Sequence, residues 1–254
     1  MRVREIISYL SYKDLVERNV IPDILSTFKV KSVKYPVFIY KQENYALFGM
    51  FMDYIVRKGL RSLEGVNVSL GTDPISEFIS MMSECEERTQ LSNNYKLYVQ
   101  DGYFGKAVTA TLQLVQCDYP SEEQISESDI VKFIPRLTNI IKALKQEWIE
   151  KKLNLNLQYN VEYKYFPIEG HPDVVLDDTI LDIKNTAGFK TIGEESCLQV
   201  LAYYALAKQN PRCTINKIGF IFPMQGKIEV IDVSTWESSI FMNEMINIAS
   251  AYVI

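Results

Sequence analysis

Residues 170–186 read "GHPDVVLDDTILDIKNT", two runs of strand length, "DVVL" and "TILDIK", around an Asp177-Asp178 pair. Short β-branched and aliphatic runs pack as strands, and Asp accepts the left-handed backbone that a two-residue turn demands. The segment is therefore expected to be a β-hairpin. Closing it at Asp177-Asp178 sets Val174 opposite Leu181 and Asp173 opposite Asp182, and opposed side chains share a face with Cβ atoms about 4.5 to 5.5 Å apart. Lys184, two residues past Asp182, emerges on that same face. Facing carboxylates repel, and an ionised group enters an interior only when a counter-charge or a metal compensates it. Carboxylate oxygens paired in this way suit magnesium or manganese. The hairpin thus predicts a site of two acids, one lysine and a divalent cation.

Pro172-Asp173, followed after eight residues by Asp182-Ile183-Lys184, resembles the signature of the P-D-(D/E)-x-K nuclease superfamily. Acidic-x-Lys triplets also stand at Glu150-Lys151-Lys152 and Glu162-Tyr163-Lys164, so the triplet alone discriminates little. Its surroundings discriminate more. From Thr191 the chain reads "TIGEESCLQVLAYYALAKQ", a predicted helix opened by a Thr191 to Glu194 capping box. Gln199 and Tyr203 fall on one face of it. A Gln-x-x-x-Tyr helix after an Asp-x-Lys strand is similar to the RecB-like exonuclease subgroup. A second hairpin, Ile215 to Pro223 and Lys227 to Val233, agrees with that subgroup, and the resemblance covers about residues 155–235.

The resemblance implies an α/β fold, a mixed β-sheet nuclease core flanked by helices, and metal-dependent hydrolysis of phosphodiester bonds. It implies Mg2+ or Mn2+ on Asp173 and Asp182, with the Ile183 carbonyl as a further ligand. Lys184 would orient or deprotonate the attacking water, Gln199 would hold the lysine or that water, and Tyr203 would contact a substrate phosphate. Glu162 aligns with an acid of many members; it is either a metal ligand or the exposed partner of a lysine. Where the subgroup often has Gly-x-x-x-His, "LFGMFMDYIVRKGL" has Gly49-x-x-x-Asp53. Asp53 is either a third oxygen ligand or the i,i+4 ion-pair partner of Arg57. Some relatives hold an iron-sulfur cluster on cysteines grouped after the Tyr helix. Of Cys85, Cys117, Cys197 and Cys213 only the last lies in that zone, so no cluster is expected.

Composition narrows the alternatives. With a single histidine, His171, multi-histidine zinc sites are excluded, and no P-loop, G-x-S-x-G or dinucleotide fingerprint occurs. No apolar run approaches the roughly 18 residues of a membrane span, and the amphipathic, acid-containing start "MRVREIISYLSYKDL" does not read as a signal sequence. A soluble intracellular protein without a membrane partner is expected. The net charge of -5 runs against phosphate binding, which depends on Lys and Arg. "FKVKSVKYPVFIYK" nonetheless interleaves Lys29, Lys31, Lys34 and Lys41 with aromatics. That pattern suits either a groove for single strands or a lysine-protected edge strand. Lys31, Lys34 and Lys190 are the candidate nucleic-acid contacts, together with Tyr203. The Gln-x-x-x-Tyr helix favours DNA over RNA as the partner, and no particular protein partner is indicated.

Upstream, periodicity predicts helices over Val3 to Leu10, Tyr12 to Arg18, Tyr45 to Arg61, Pro74 to Arg88, Tyr103 to Val115 and Ser128 to Lys152, with Pro135 in the first turns of the last or kinking it. A strand, "NLQYNVEYKYF", follows. No linker divides the chain, so 1–254 is expected to be one domain, with 1–153 a mainly helical portion and 154–254 the core. Those helices are expected to roof the acids, which would favour an exonuclease threading single-stranded ends. A structure-specific or RNA endonuclease, or a catalytically silent nucleic-acid-binding subunit, are the alternatives.

Overall fold

Between Ser126 and Lys151 the apolar residues Ile130, Phe133, Leu137, Ile141, Leu144 and Trp148 recur at three- and four-residue intervals. One stripe of a helix is then apolar and has to be covered. In the computed structural model of the chain, which describes residues 1–28, 44–61, 63–70, 79, 86–99, 105–118, 125–159, 161–185 and 192–252, it is covered by other helices and by one face of a sheet. The helices, in chain order, are α1 (Val3–Ile7), α2 (Tyr12–Glu17), α3 (Asn44–Arg61), α4 (Glu86–Val99), α5 (Gly105–Asp118), α6 (Glu127–Glu150), α7 (Glu194–Ala207) and α8 (Ser239–Ala251). The strands are β1 (Asn67–Leu70), β2 (Asn156–Tyr159), β3 (Tyr163–Tyr165), β4 (Ile168–Gly170), β5 (Val174–Val175), β6 (Thr179–Ile183), β7 (Lys217–Phe222) and β8 (Lys227–Asp232).

Six strands form one mixed sheet in the order β1-β2-β5-β6-β7-β8, and β3 and β4 form a separate two-stranded hairpin. Among the strands of the described residues, β1–β2 and β6–β7 are the parallel pairs. The second is bridged by α7, because parallel neighbours need a crossover. The fold is α/β, as the sequence predicts.

Side-chain alternation sorts the sheet into two faces. Val174, Leu181, Ile183 and Ile221 pack with α3, α5 and α6. Val175, Ile180, Ile218 and Phe220 face the other way and pack with α1, α2, α7 and α8. Asp182 lies between Leu181 and Ile183, so it belongs to the α7 face. Of the helices expected to roof the acids, α3, α5 and α6 pack with the opposite face, α1 and α2 pack with the α7 face, and α3 also brings Asp53 and Arg57 to the acids.

Several expectations need correction in detail. α7 is capped by Gly193, with no side-chain cap; an extended glycine serves as an N-cap and leaves Glu194 in the first turn, and Thr191 lies outside the described residues. The helix expected at 74–88 lies mostly outside them too, while α4 runs on to Val99. The strand expected over 156–166 is two strands in two sheets: β2 pairs β1 and β5, and β3 pairs β4 across a turn at Phe166-Pro167. α6 continues through Pro135. The second hairpin forms as expected, and Gly226 at φ 60° supplies the left-handed residue between its strands.

Candidate metal-binding and catalytic site

The predicted register holds: Val174 pairs Leu181 and Val175 pairs Ile180. One step further on, the ladder gives way to a side-chain contact, in which the Ile183 N–H donates to Asp173 Oδ2 at 2.7 Å. Asp182 sits at the carboxyl end of β6, next to parallel β7, the edge of an open α/β sheet at which ligands characteristically bind. It is 2% exposed.

Lys184 answers Asp182. Its Nζ lies 2.7 Å from Asp182 Oδ2 and donates to Gln199 Oε1 at 2.9 Å. Gln199 Nε2 in turn donates to the Tyr203 hydroxyl at 2.8 Å. The strand and the helix are thus joined by a run of three hydrogen-bonding side chains, and Gln199 and Tyr203 share a face four residues apart, as the sequence predicts. Tyr203 itself is buried. Gly170 of β4 lets the small hairpin close on it, since a Cβ there would lie 3.0 Å from the Tyr203 ring and 2.9 Å from Val3. Tyr203 therefore stands at the inner end of the run, and Lys184 is its more exposed end.

On the other side, Arg57 of α3 holds Asp53 side-on, with Nη2 at 2.7 Å from Oδ2 and Nε at 3.2 Å from Oδ1. The same Nη2 lies 3.4 Å from Asp173 Oδ1. Asn185 Nδ2 donates to the Gly49 carbonyl at 3.1 Å and ties the segment after Lys184 to the same helix. Both alternatives for Asp53 are thus partly realised: it pairs Arg57 at i,i+4, and it does so beside the acids. The contact of Arg57 with Asp173 is not foreseen by the sequence; a basic residue four places after Asp53 was its only signal.

Burial first, and then the negative charge of Asp173, push the Asp182 carboxyl up to about 7 against the opposing pull of Lys184. Burial and Asp173 likewise raise Asp53 to about 6, with Arg57 opposing. For Lys184 the order reverses. Desolvation works to lower its pKa, but the adjacent charge of Asp182 outweighs it and keeps the ammonium protonated above its usual range.

The donor set fits a hard divalent cation. Asp182 Oδ2 is buried with no directed hydrogen-bond donor, since Lys184 approaches it closely but off axis. Asp173 and Asp182 offer carboxylate oxygens from adjacent antiparallel strands, and carboxylates of this kind are the ligands magnesium and manganese take.

The other predicted residues fall elsewhere. Glu162 pairs with Lys164 at 2.7 Å and lies 3.6 Å from His171. With Glu169 these form an exposed cluster at the small hairpin, the lysine-partner alternative for Glu162. Lys31, Lys34 and Lys190 lie outside the described residues. Among the described residues no helix is long and apolar enough to cross a membrane. No protein-family model, no curated protein and no solved structure matches the chain.

Proposed function

We propose that the chain is a metal-dependent nuclease of the P-D-(D/E)-x-K type that hydrolyses phosphodiester bonds of DNA with Mg2+ or Mn2+. The observation that carries this reading is the meeting of two acids from adjacent strands, Asp173 on the Ile183 N–H and Asp182 against Lys184, whose ammonium the Gln199 and Tyr203 hydrogen bonds hold in place. A structural ion pair needs one acid and one base, and gains nothing from a second carboxylate brought close enough to raise the first.

In this reading Asp173 and Asp182 would hold the cation, joined by the Ile183 carbonyl. When bound it supplies Lewis acidity toward a phosphate oxygen and lowers the pKa of a water. Asp173 is oriented by the Ile183 N–H, which fixes which oxygen faces the site. Lys184, held protonated, stabilises negative charge that develops on the phosphate. Gln199 keeps the ammonium from swinging away, and Tyr203 keeps the Gln199 amide from flipping.

Two modes of action divide on the placement of the helices. An exonuclease threading single-stranded ends follows from the RecB-like resemblance. The packing of α5 and α6 with the far face of the sheet supports the second reading, an endonuclease. The deciding experiment compares a linear single strand of DNA with a covalently closed circle of the same sequence, each in manganese and in chelator. Threading predicts that the linear strand alone is degraded; equal rates on both select the endonuclease. Cleavage of neither, or cleavage that survives the chelator, overturns the metal-dependent nuclease.

A further inference from the structure

The resemblance gives the phosphate contact to Tyr203, but that side chain is 5% exposed and its hydroxyl already accepts from Gln199. A strand of DNA lying over the acids needs a cation within its reach, since phosphate binding depends on Lys and Arg. The helix next to Tyr203 carries one. α1 buries Val3, Ile6 and Ile7 in the core that also holds Tyr203 and Ile168. It meets Tyr203 at Gly170, where an added Cβ would lie 2.9 Å from Val3 and 3.0 Å from the Tyr203 ring. Arg4 is the residue after Val3, and it is exposed.

This corner is fixed by backbone as well as by packing, because the Glu169 N–H donates to the Met1 carbonyl at 3.1 Å. Its acids are taken up by a different arginine. Glu5 Oε2 accepts from the Arg2 backbone N–H at 2.8 Å, and Glu169 lies 3.6 Å from the Arg2 guanidinium. Arg4 has no hydrogen bond or ion pair of its own among the described residues. Its charge is nonetheless felt in the site. Burial first, and then the charges of Asp182 and Asp173, hold the Tyr203 hydroxyl above the usual phenol range, while the Gln199 hydrogen bond and the charge of Arg4 oppose them. One hydroxyl thus lies within electrostatic reach of both acids and of Arg4.

Resting on the nuclease reading, we propose that Arg4 is a phosphate-binding residue of this site, which grips the backbone of the bound strand at a phosphate neighbouring the one held at the acids. An exposed guanidinium breaks no ion pair to take up a phosphate, and its planar fork matches two non-bridging oxygens. Arg4 touches substrate away from the reacting bond. It therefore acts on KM and leaves kcat little changed.

The test measures steady-state cleavage of a linear oligothymidylate in manganese, at about 50 and about 200 mM salt, for the wild type, Arg4→Ala, Arg4→Lys and Arg212→Ala. Arg212 is also exposed, but it lines a pocket with Asp177 at the turn of the β5–β6 hairpin, the opposite end from Asp173 and Asp182. Melting curves check that each variant is folded, and Arg4→Gln, which keeps a long polar side chain, stands in if the alanine variant does not fold. Arg4→Ala is expected to raise KM about tenfold at the lower salt, the usual worth of a charge-assisted hydrogen bond. Between the two salts it should lose about 2.6-fold less of its kcat/KM than the wild type, because one phosphate contact fewer reduces the salt slope for a single strand by about 0.7. Arg4→Lys should keep the wild-type slope with a smaller rise in KM, and Arg212→Ala should match the wild type in both. A packing role for Arg4 would move KM without moving the slope. An unchanged slope in Arg4→Ala, or an equal change in Arg212→Ala, overturns the assignment while the wild type cleaves. A wild type that cleaves nothing in manganese brings down the nuclease reading itself, a different outcome from either of these.

Discussion

The hairpin β5–β6 carries an acid pair at each end, and the two pairs behave in opposite ways. At the turn, Asp178 meets Lys217 at 2.7 Å and the Thr179 hydroxyl at 2.7 Å, and Asp177 accepts from Asn156 Nδ2 at 2.6 Å. Burial of Asp178 is slight enough that these partners prevail, and its pKa is lowered. At the open end, Asp182 is buried against Asp173 and its pKa is raised. The residue type is the same, and the strands are the same. What differs is whether the carboxylate is partly exposed with a lysine beside it or buried beside a second carboxylate. Opposed shifts of this kind separate an acid that has a cation of its own from one buried beside another carboxylate.

The comparison breaks most visibly at Asp182. Asp182→Ala is expected to abolish manganese binding in calorimetry and to cut cleavage at least about 10³-fold, the upper range for one charge-stabilising group. Asp178→Ala should leave both within about twofold, since its partners at the turn lie at the other end of the strands. Loss of activity in Asp178→Ala with a normal melting curve would erase the distinction between the two ends.

Lys184→Ala sharpens it. The acids remain, so manganese should still bind, while cleavage falls by about 10², the usual contribution of a proton-transfer or charge-stabilising group. Lys217→Ala, which removes the corresponding lysine at the turn, should leave the rate unchanged. Full activity in Lys184→Ala would make the two lysines equivalent, and the Asp-x-Lys spacing an accident.

Much of this hairpin was legible in the sequence because its information is local. The register of Val174 with Leu181 follows from one turn and from strict alternation, and the Gln199 to Tyr203 pairing follows from the pitch of a helix. α6 was legible for the same reason, since its apolar stripe needs no knowledge of what covers it. α4 was only partly legible. Among the described side chains of "EERTQLSNNYKLYV" only Leu91 and Asn94 are buried, which is too few positions to trace a stripe. β1 was missed because its four residues are a strand only by virtue of parallel pairing with β2. The contact of Arg57 with Asp173 spans 116 residues, and no spacing rule reaches across such a distance. Hence the acids of the site could be read from the chain, whereas the side on which the helices pack could not.

The smallest effects, and the most direct measure of the contrast, lie in the stability of the metal-free protein. A carboxyl whose pKa is raised on folding binds its proton more tightly in the native state. Its contribution is fully present below its ordinary value near 4 and is lost as pH rises toward about 7. At neutral pH an ionised Asp182 therefore destabilises the fold, and Asp182→Asn is expected to stabilise the metal-free protein there. The gain should be on the order of a few kcal/mol, because each tenfold change in proton affinity is worth about 1.4 kcal/mol, and it should vanish as the pH falls below about 4. Asp178 has the opposite sign. Its lowered pKa contributes stability that is present above the ordinary value and is lost as pH falls. Because the pair with Lys217 is about a third exposed, Asp178→Asn should cost only about 0.2 to 1 kcal/mol at neutral pH and nothing in acid. Urea unfolding of both variants in chelator, from about pH 2 to pH 8, reads the two slopes, that of Asp182 above about pH 4 and that of Asp178 below it. If the difference from wild type has the same sign for both, the two ends of the hairpin are not the different environments that their geometry indicates.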